Sequence, residues 1–385
     1  MTAETLGVGI FFSGRRLQTT RGIMRSCSVV LAAIGRDLDV LQGVDGFAER
    51  AGAIATEERA QPNGGLFEIL VASAYARAGW QVRFNPVQRG RAKTHDLDVA
   101  RGDRRYAVEC KRMEGGEYVE EERARMRELW KLPCLMLAQK EQRSTYLDVR
   151  IKIEVKDVSI RYLLNRTREF LVSRLSSYLW DDGTASGVIG DLDLTPVREA
   201  LKTDYLLHPS PNFNKLLTGS YRRYDNMIEL VRLKYAENPH FIDDVDLAVV
   251  ARWSSLSEAA VERKARDIHA KLVEANTQLP SNIPGIIHIG FEALSGDTIE
   301  HRRYEKILDR CRRFSPTGSS LEFIYCHYFA PESSPEETWA VDETVQWIGV
   351  RNSDLPLSTG MLLMPETEGP SRPGVHWDGG GGERL

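Results

Sequence analysis

Cysteine is scarce and scattered in this sequence, which removes two structural classes. The 385 residues include five cysteines, and none of them form a CxxC pair (Cys27, Cys110, Cys134, Cys311 and Cys326). An odd number without that spacing argues against both a zinc site and a disulfide framework. A reducing cytoplasm is the compartment that this cysteine usage fits best.

Long apolar runs and several familiar motifs are also missing. No run approaches the roughly 20 apolar residues that a bilayer-spanning helix needs, so we expect no membrane partner. The sequence contains no glycine-rich phosphate loop, no GxSxG motif and no internal repeat. The search for chemistry therefore turns to charged residues.

A global excess of positive charge is absent as well, because the net charge is -4. Any surface for nucleic acid must then be local. One such region runs from residue 83 to 112 and contains nine basic and four acidic residues, a net charge of +5. The basic residues are Arg83, Arg89, Arg91, Lys93, Arg101, Arg104, Arg105, Lys111 and Arg112.

Residues 94 to 112 read THDLDVARGDRRYAVECKR. Apolar and charged residues alternate on either side of Gly102-Asp103, which predicts two short strands joined by a tight turn. If these two residues form the loop, the numbers of paired residues sum to 205. The register of the hairpin is then fixed.

This register gathers acidic residues on one face of the predicted hairpin. Asp96 lies opposite Glu109 and Asp98 lies opposite Ala107, while Lys111 shares the face of Glu109. Opposed carboxylates are costly unless a cation binds them. Directly opposed Cβ atoms are about 4.5 to 5.5 Å apart and diagonal ones roughly 7 Å, so Asp96 is the preferred partner of Glu109.

A hard divalent cation suits these groups, because Mg²⁺ often takes only one or two carboxylates, with water and substrate phosphate completing its shell. A lysine beside such an ion can hold a water, help to deprotonate it, or neutralise charge on a phosphate. The pattern is typical of phosphodiester chemistry.

At these residues the chain resembles the PD-(D/E)XK nuclease superfamily, which has the restriction-endonuclease-like fold. The family pattern of a strand aspartate followed by acid-x-lysine is matched by Asp96 and Glu109-Cys110-Lys111. The family also tends to place a glutamate on the preceding helix, where residues 64 to 86 (GGLFEILVASAYARAGWQVRFNP) supply Glu68. His95 stands where the family name has proline, and the resemblance covers roughly residues 64 to 112.

The resemblance implies an α/β fold with a central mixed sheet flanked by helices, and a Mg²⁺- or Mn²⁺-dependent endonuclease with DNA as the expected substrate. It implies that Asp96, Glu109 and the backbone carbonyl of Cys110 hold the metal and that Lys111 positions the water. Asp98 and Glu68 are the auxiliary residues. Glu68 has an equally good alternative interpretation as a first-turn acid favoured by the helix dipole.

Two segments compete to complete the sheet after Lys111. The near pair is a charged helix over residues 120–132 and a strand over 146–155, and the distant pair is a helix over 257–279 and a strand over 285–291. The distant helix has an uninterrupted apolar stripe, and its strand is apolar on both faces, as in a covered sheet. We therefore predict that the distant pair returns to the core and docks on the hairpin sheet.

These choices divide the chain into five segments. We predict an N-terminal helical lead over 1–60, the first part of the core over 61–155, a largely helical insertion over 156–255, a returning core over 256–363 and a disordered tail over 364–385. Within the insertion we predict helices over 163–180 and 221–235, and in the returning core a strand over 321–329 and a helix over 335–348. His288 and His327 are expected to be hydrogen-bonded core residues.

A second class of function fits the same sequence. A non-catalytic scaffold or nucleic-acid-binding protein, in a defence system or a mobile element, could retain this fold and use the acidic cluster for structure. The presence of Asp, Glu and Lys together favours the enzyme. A homodimer or a partner protein is compatible with either interpretation.

Overall fold

The structure is a computed structural model of the chain. It describes residues 29–86, 94–113, 115–208, 210–220, 226–238, 241–255, 257–332, 340–351, 356–357, 362–364, 375 and 377. The chain divides into two compact units. We call residues 116–264 the insert unit, and the described residues of 29–115, 265–331 and 340 onward the core unit.

The helices, in chain order, are α1 (Leu38–Leu41), α2 (Phe47–Thr56), α3 (Asn63–Arg77), α4 (Glu117–Leu135), α5 (Tyr162–Ser173), α6 (Thr195–Leu201), α7 (Pro211–Thr218), α8 (Glu258–Lys264), α9 (His269–Gln278) and α10 (Asp297–Arg313). The strands are β1 (Gln81–Phe84), β2 (Leu97–Arg101), β3 (Arg104–Met113), β4 (Thr145–Ile151), β5 (Ser177–Asp181), β6 (Ala185–Asp191), β7 (Leu206–Leu207), β8 (Asn226–Tyr235), β9 (Phe241–Ser255), β10 (Pro284–Glu292), β11 (Ser320–Glu332) and β12 (Ala340–Gly349). Residues 29–36 are also helical, a π-helical turn (Met136–Lys140) extends α4, and a 3-10 turn (Val155–Asp157) follows β4.

The core unit contains a mixed six-stranded sheet in the order β1-β2-β3-β10-β11-β12. The first three strands are antiparallel, and β10 runs parallel to both β3 and β11. The fold is therefore α/β with a mixed sheet flanked by helices. The prediction that the strand over 285–291 joins the hairpin sheet is confirmed, because β10 pairs directly with β3.

The two faces of this sheet have separate cores, which we call the back and front faces. On the back face, Val108 and Cys110 of β3 pack with α3, whose Leu70 and Tyr75 are fully buried. On the front face, Ala107 packs in the cluster that includes apolar residues of α9 and α10. Strand alternation therefore places Glu109 and Lys111 on the front face with Ala107.

The helix predicted over 257–279 is two helices, and they belong to different units. Helix α8 is in the insert unit, whereas α9 docks on the front face of the core sheet through Leu272, Ala275 and Leu279. At the break, the Asp267 carboxylate accepts a hydrogen bond from the amide of His269, the first residue of the second helix. Half of the predicted docking helix is thus confirmed.

The prediction of a largely helical insertion over 156–255 is wrong, because strands make up much of this part of the insert unit. It contains a second sheet in the order β5-β6-β4-β9-β7, with β8 also paired to β9. The near pair of the sequence prediction forms here, as α4 and β4. The helix predicted over 163–180 ends at Ser173 and is followed by β5.

Strand β8 replaces the described part of the helix predicted over 221–235, and the reason is burial on both faces. Ile228 and Leu230 pack in one hydrophobic cluster, whereas Val231 and Leu233 pack in another. Apolar residues three apart then imitate the spacing of a helix. Residues 221–225 lie outside the described part of the chain.

The prediction of a helix over 335–348 is also wrong, because residues 340–349 form strand β12. Val341 and Val345 pack on the back core and Ile348 on the front core, again at helix-like spacing. The intervening Thr344 and Gln346 are buried polar residues, which hides the alternation. Residues 335–339 lie outside the described chain.

The two ends of the core unit also differ from the sequence prediction. The helices after residue 29 are not a separate lead, because Leu41 and Ile54 are buried in the back core. In the predicted tail, Met364 and Trp377 are buried, the latter against Tyr304 and Tyr328. Residues 365–374, 376 and 378–385 lie outside the described part of the chain.

Candidate active site

The hairpin has the register that its sequence predicts. Leu97 pairs with Val108, and Gly102 adopts a φ of 60° at the turn, a conformation that glycine tolerates. Just before β2, the Asp96 amide donates to the Val108 carbonyl at 3.0 Å. The Asp96 carboxylate accepts from the Cys110 amide at 2.8 Å, which fixes it beside Glu109 and Lys111.

Glu109 and Lys111 form a close ion pair on the front face. The Lys111 Nζ lies 2.7 Å from the Glu109 Oε1, and the Glu109 side chain is 1% exposed. Lys111 also lies 3.1 Å from Glu274 of α9. The lysine is therefore held between two carboxylates, one from the sheet and one from a helix.

A second residue of α9 joins this network. When the Gln278 amide is oriented to satisfy its neighbours, its nitrogen donates to the Glu109 Oε1 at 3.2 Å and its oxygen accepts from the Lys111 Nζ at 2.7 Å. Sequence reasoning missed Glu274 and Gln278. Their spacing of four residues puts them on one side of a helix already expected to dock on this sheet, which was the available sign.

Glu68 of α3 lies close enough to influence this cluster, but its oxygens have other partners. Arg50 donates to both of them, at 2.6 and 3.0 Å, and also binds Glu58. Burial raises the pKa of Glu68, and the Arg50 guanidinium opposes that increase. Glu68 therefore acts on the site through its charge, and its auxiliary catalytic role stays a prediction.

The carboxyl groups of the cluster are electrostatically strained. Burial raises the pKa of Asp96 well above its ordinary value, and the charges of Glu68 and Glu109 raise it further. Burial raises the pKa of Glu109 to about 7, although its interactions with Lys111 lower it. Burial alone would lower the pKa of Lys111, but Glu109 and Glu274 raise it, so the ammonium stays charged.

Asp98 belongs to a different set of interactions. It accepts from the Arg83 guanidinium at 2.7 Å and contacts the His95 Nε2 at 2.8 Å. The hydrogen bond with His95, together with that from Arg83, lowers the pKa of Asp98 to about 2 against the effect of burial. The structure does not bring Asp98 into the ion pairs of Glu109 and Lys111.

A divalent cation fits the chemistry of the remaining donors. Within the described chain the buried Glu109 Oε2 accepts from no N–H or hydroxyl group. Burial disfavours the charged form of Asp96, and a hydrogen bond with Asp96 lowers the pKa of Glu109. Within the described chain, no group of three or more His, Cys, Asp or Glu side chains is arranged to hold a metal. Mg²⁺ does not need three, since two carboxylates, water and substrate oxygens suffice. The Cys110 carbonyl as a further ligand stays a prediction.

His288 and His327 are hydrogen-bonded core residues, as expected, on the back face of the same sheet. The Tyr75 hydroxyl donates to the His288 Nε2 (3.1 Å), the His288 Nδ1 donates to the His327 Nε2 (3.0 Å), and the His327 Nδ1 donates to Glu343 (3.0 Å). This direction follows from Glu343, because a carboxylate only accepts. Burial, followed by the neighbouring His327, lowers the pKa of His288 well below its usual value.

Two further observations concern the cysteines and the helices. The four cysteines in the described chain are free and buried (Cys110, Cys134, Cys311 and Cys326). Among the described residues, none of the helices has both the length and the apolar character that crossing a membrane requires.

Comparison of the chain with protein-family models, with curated proteins and with solved structures found no match. The arguments about function therefore rest on the residues of this chain.

Proposed function

We propose that this protein is a metal-dependent nuclease that hydrolyses phosphodiester bonds, with DNA as its substrate. The observation that supports the proposal is the convergence of Asp96, Glu109 and Lys111 at one end of the hairpin, with two carboxylates that lack full compensation. Such an arrangement costs stability in a protein that uses it only as a scaffold. The cost is understandable if the cluster binds a cation and a phosphate.

Each residue has a distinct part in this proposal. Asp96 and Glu109 hold a Mg²⁺ or Mn²⁺ ion, which supplies Lewis-acid activation of a phosphate oxygen and of water. Lys111 stays protonated between Glu109 and Glu274, so it is a poor general base. Its ammonium instead donates hydrogen bonds, orienting the water or stabilising the charge that develops on the phosphate.

Glu274 and Gln278 position this lysine. Because they contact Lys111 and Glu109 from a helix, they restrict the rotation of a long, flexible side chain. A preoriented donor loses less entropy when the substrate arrives. The same closed network is also what a structural role would need, so a non-catalytic scaffold is the competing candidate.

Cleavage assays separate these two functions. The full-length protein is incubated with linear duplex, nicked and single-stranded DNA, with Mg²⁺, with Mn²⁺ and with chelator. We expect metal-dependent cleavage that falls about 10²-fold or more in Lys111→Ala, the magnitude typical of losing a transition-state donor. Glu109→Ala is expected to abolish cleavage while leaving the circular dichroism spectrum unchanged.

A matched control comes from α10, where Arg313 and Asp309 form an exposed ion pair at 2.8 Å. Arg313→Ala removes one positive charge from the core unit without touching the cluster and is expected to cleave at the wild-type rate. Equal activity in the wild type, Glu109→Ala and Lys111→Ala would contradict the site assignment. Inactivity of the wild type on every substrate, together with no divalent-ion binding, would support the scaffold.

A further inference from the structure

The front face of the core sheet is covered over only part of its width. Strand β10 presents Ile287, Ile289 and Phe291 to a hydrophobic cluster that includes residues of α9 and α10. On strands β1 to β3 the same face has five residues outside the hydrophobic cluster, and four of them are polar or charged. We call these residues the open face (Gln81, Arg83, Asp98, Ala100 and Arg105), since each is exposed or partly exposed.

The strand register defines this surface. Arg83 pairs with Asp98, which pairs with Ala107, and Gln81 pairs with Ala100, which pairs with Arg105. Paired residues project to the same side of a sheet. Because Ala107 belongs to the front cluster, all members of the open face lie on the side that carries Glu109 and Lys111.

The open face extends directly from the candidate site. Arg105 precedes Lys111 by six residues on the same strand. Arg83 is two strands away, level with Ala107. At about 4.8 Å between strands and 3.4 Å per residue, the Cα atoms of Arg83 and Lys111 are roughly 17 Å apart. Successive phosphates of one DNA strand rise by about 3.4 Å, so this distance spans only a few nucleotides.

The charges on this face suit a phosphate backbone. The Arg83 side chain is 59% exposed, and Asp98 holds its guanidinium in place above the sheet. His95 contacts the same Asp98 carboxylate. Arg105 is exposed on the same side, with no acidic residue among its pairing partners on β1 and β2.

The same register removes two other arginines from this surface. Arg104 pairs with Arg101, which lies on the back side and donates to the Ala78 carbonyl at the end of α3. Arg112 also follows the back-face parity of Val108 and Cys110. Of the basic region predicted from the sequence, Arg89, Arg91 and Lys93 lie outside the described residues.

We infer that the open face binds the phosphodiester backbone of the DNA whose scissile phosphate reaches Asp96, Glu109 and Lys111. Arg83 and Arg105 each contact a phosphate, and Asp98 orients Arg83 rather than holding metal. This inference rests on the proposed function for the identity of the ligand. It assigns Asp98 to substrate positioning.

Binding measured without cleavage tests the inference. The probe is a fluorescein-labelled 20-base-pair DNA duplex in EDTA, and fluorescence anisotropy gives the Kd of the full-length protein between 50 and 200 mM salt. The variants are Arg83→Gln, Arg105→Gln and, as the matched control on the opposite side of the same strand, Arg104→Gln. Thermal melting verifies that each variant is folded, as expected for exposed positions.

Each lost phosphate contact lowers the salt dependence in a defined way. Arg83→Gln and Arg105→Gln should each reduce, by roughly threefold, the factor by which Kd rises over this salt range. Arg104→Gln should match the wild type. Equal salt dependence in all three folded variants, or no binding of the duplex by the wild type, would overturn the inference. If the arginine variants behave as expected but the wild type cleaves nothing with Mg²⁺, the proposed function fails and the DNA-binding surface stands.

Discussion

Replacing Glu109 with glutamine should make the metal-free protein more stable while removing its response to metal. Glu109 is 1% exposed, and among the described residues no N–H or hydroxyl group donates to one of its carboxylate oxygens. Glutamine has the same shape and keeps an oxygen for Lys111, but it carries no charge to be compensated. The substitution therefore isolates the electrostatic cost of the site.

The size of this effect follows from the pKa of Glu109, which rises from its usual 4.5 to about 7 in the folded protein. Each pKa unit corresponds to about 1.4 kcal/mol, so the shift represents about 3 kcal/mol. Because the folded pKa is the higher one, the wild type suffers no penalty below about pH 4.5. The free energy of unfolding of the wild type then decreases progressively as the pH rises to about 7. The advantage of Glu109→Gln should thus be absent near pH 4.5 and about 3 kcal/mol at pH 8.

Urea denaturation in EDTA at a series of pH values measures this difference. A second series with 10 mM Mg²⁺ tests the metal, which should stabilise the wild type at pH 8 and leave Glu109→Gln unchanged, since ligand binding to the folded state adds to its stability. If the variant is less stable than the wild type at pH 8 without metal, the carboxylate is well compensated. The argument for a cation site would then fail.

Three further predictions concern neighbouring residues. Asp96→Asn should lower Mg²⁺ affinity and cleavage, whereas Asp98→Asn should leave Mg²⁺ affinity, measured by calorimetry, at the wild-type value. The opposite order would show that Asp98 is the ligand. Gln278→Ala should keep the fold but slow single-turnover cleavage about tenfold, because Lys111 loses a partner that orients it. An unchanged rate would show that Gln278 has no positioning role. Burial lowers the pKa of His288, so below about pH 6.5 only the unfolded state binds a proton at this residue. As the pH falls below about 6.5, the stability of the wild type relative to His288→Gln should decrease by up to about 1.4 kcal/mol per pH unit. A stability difference that does not change with pH would contradict this prediction.

The hairpin could be predicted from the sequence because its determinants are local. The Gly102-Asp103 turn and the alternation of neighbouring residues fix the register, and the structure has the same pairs. The placement of β10 beside β3 was also predictable, since a run that is apolar on both parities needs a covered position. These features carry the fold class and the position of the candidate site.

Other features depend on contacts that no local pattern contains. Strands β8 and β12 pack apolar residues on both faces, so these residues imitate the spacing of a helix. In β8 this imitation contributes to the wrong prediction of a largely helical insertion. Glu274 and Gln278 reach Lys111 from more than 160 residues along the chain. A sequence pattern gives the face of a helix but not the strand residue that it meets.

The contrast between Asp96 and Asp98 shows what the fold adds to the hairpin pattern. Both residues have the same parity, so the pattern alone gives them the same face. The fold places Arg83 and His95 beside Asp98 and lowers the pKa of its carboxyl, whereas burial beside Glu68 and Glu109 raises that of Asp96.

A cation gains little at Asp98, because it would have to displace partners that already compensate the charge. At Asp96 and Glu109, Lys111 and the hydrogen bond between the two carboxyls offset burial only in part, so the same cation would stabilise their charged forms. The difference in environment, rather than the difference in distance along the strand, is therefore the stronger reason to assign metal binding to Asp96 and substrate positioning to Asp98.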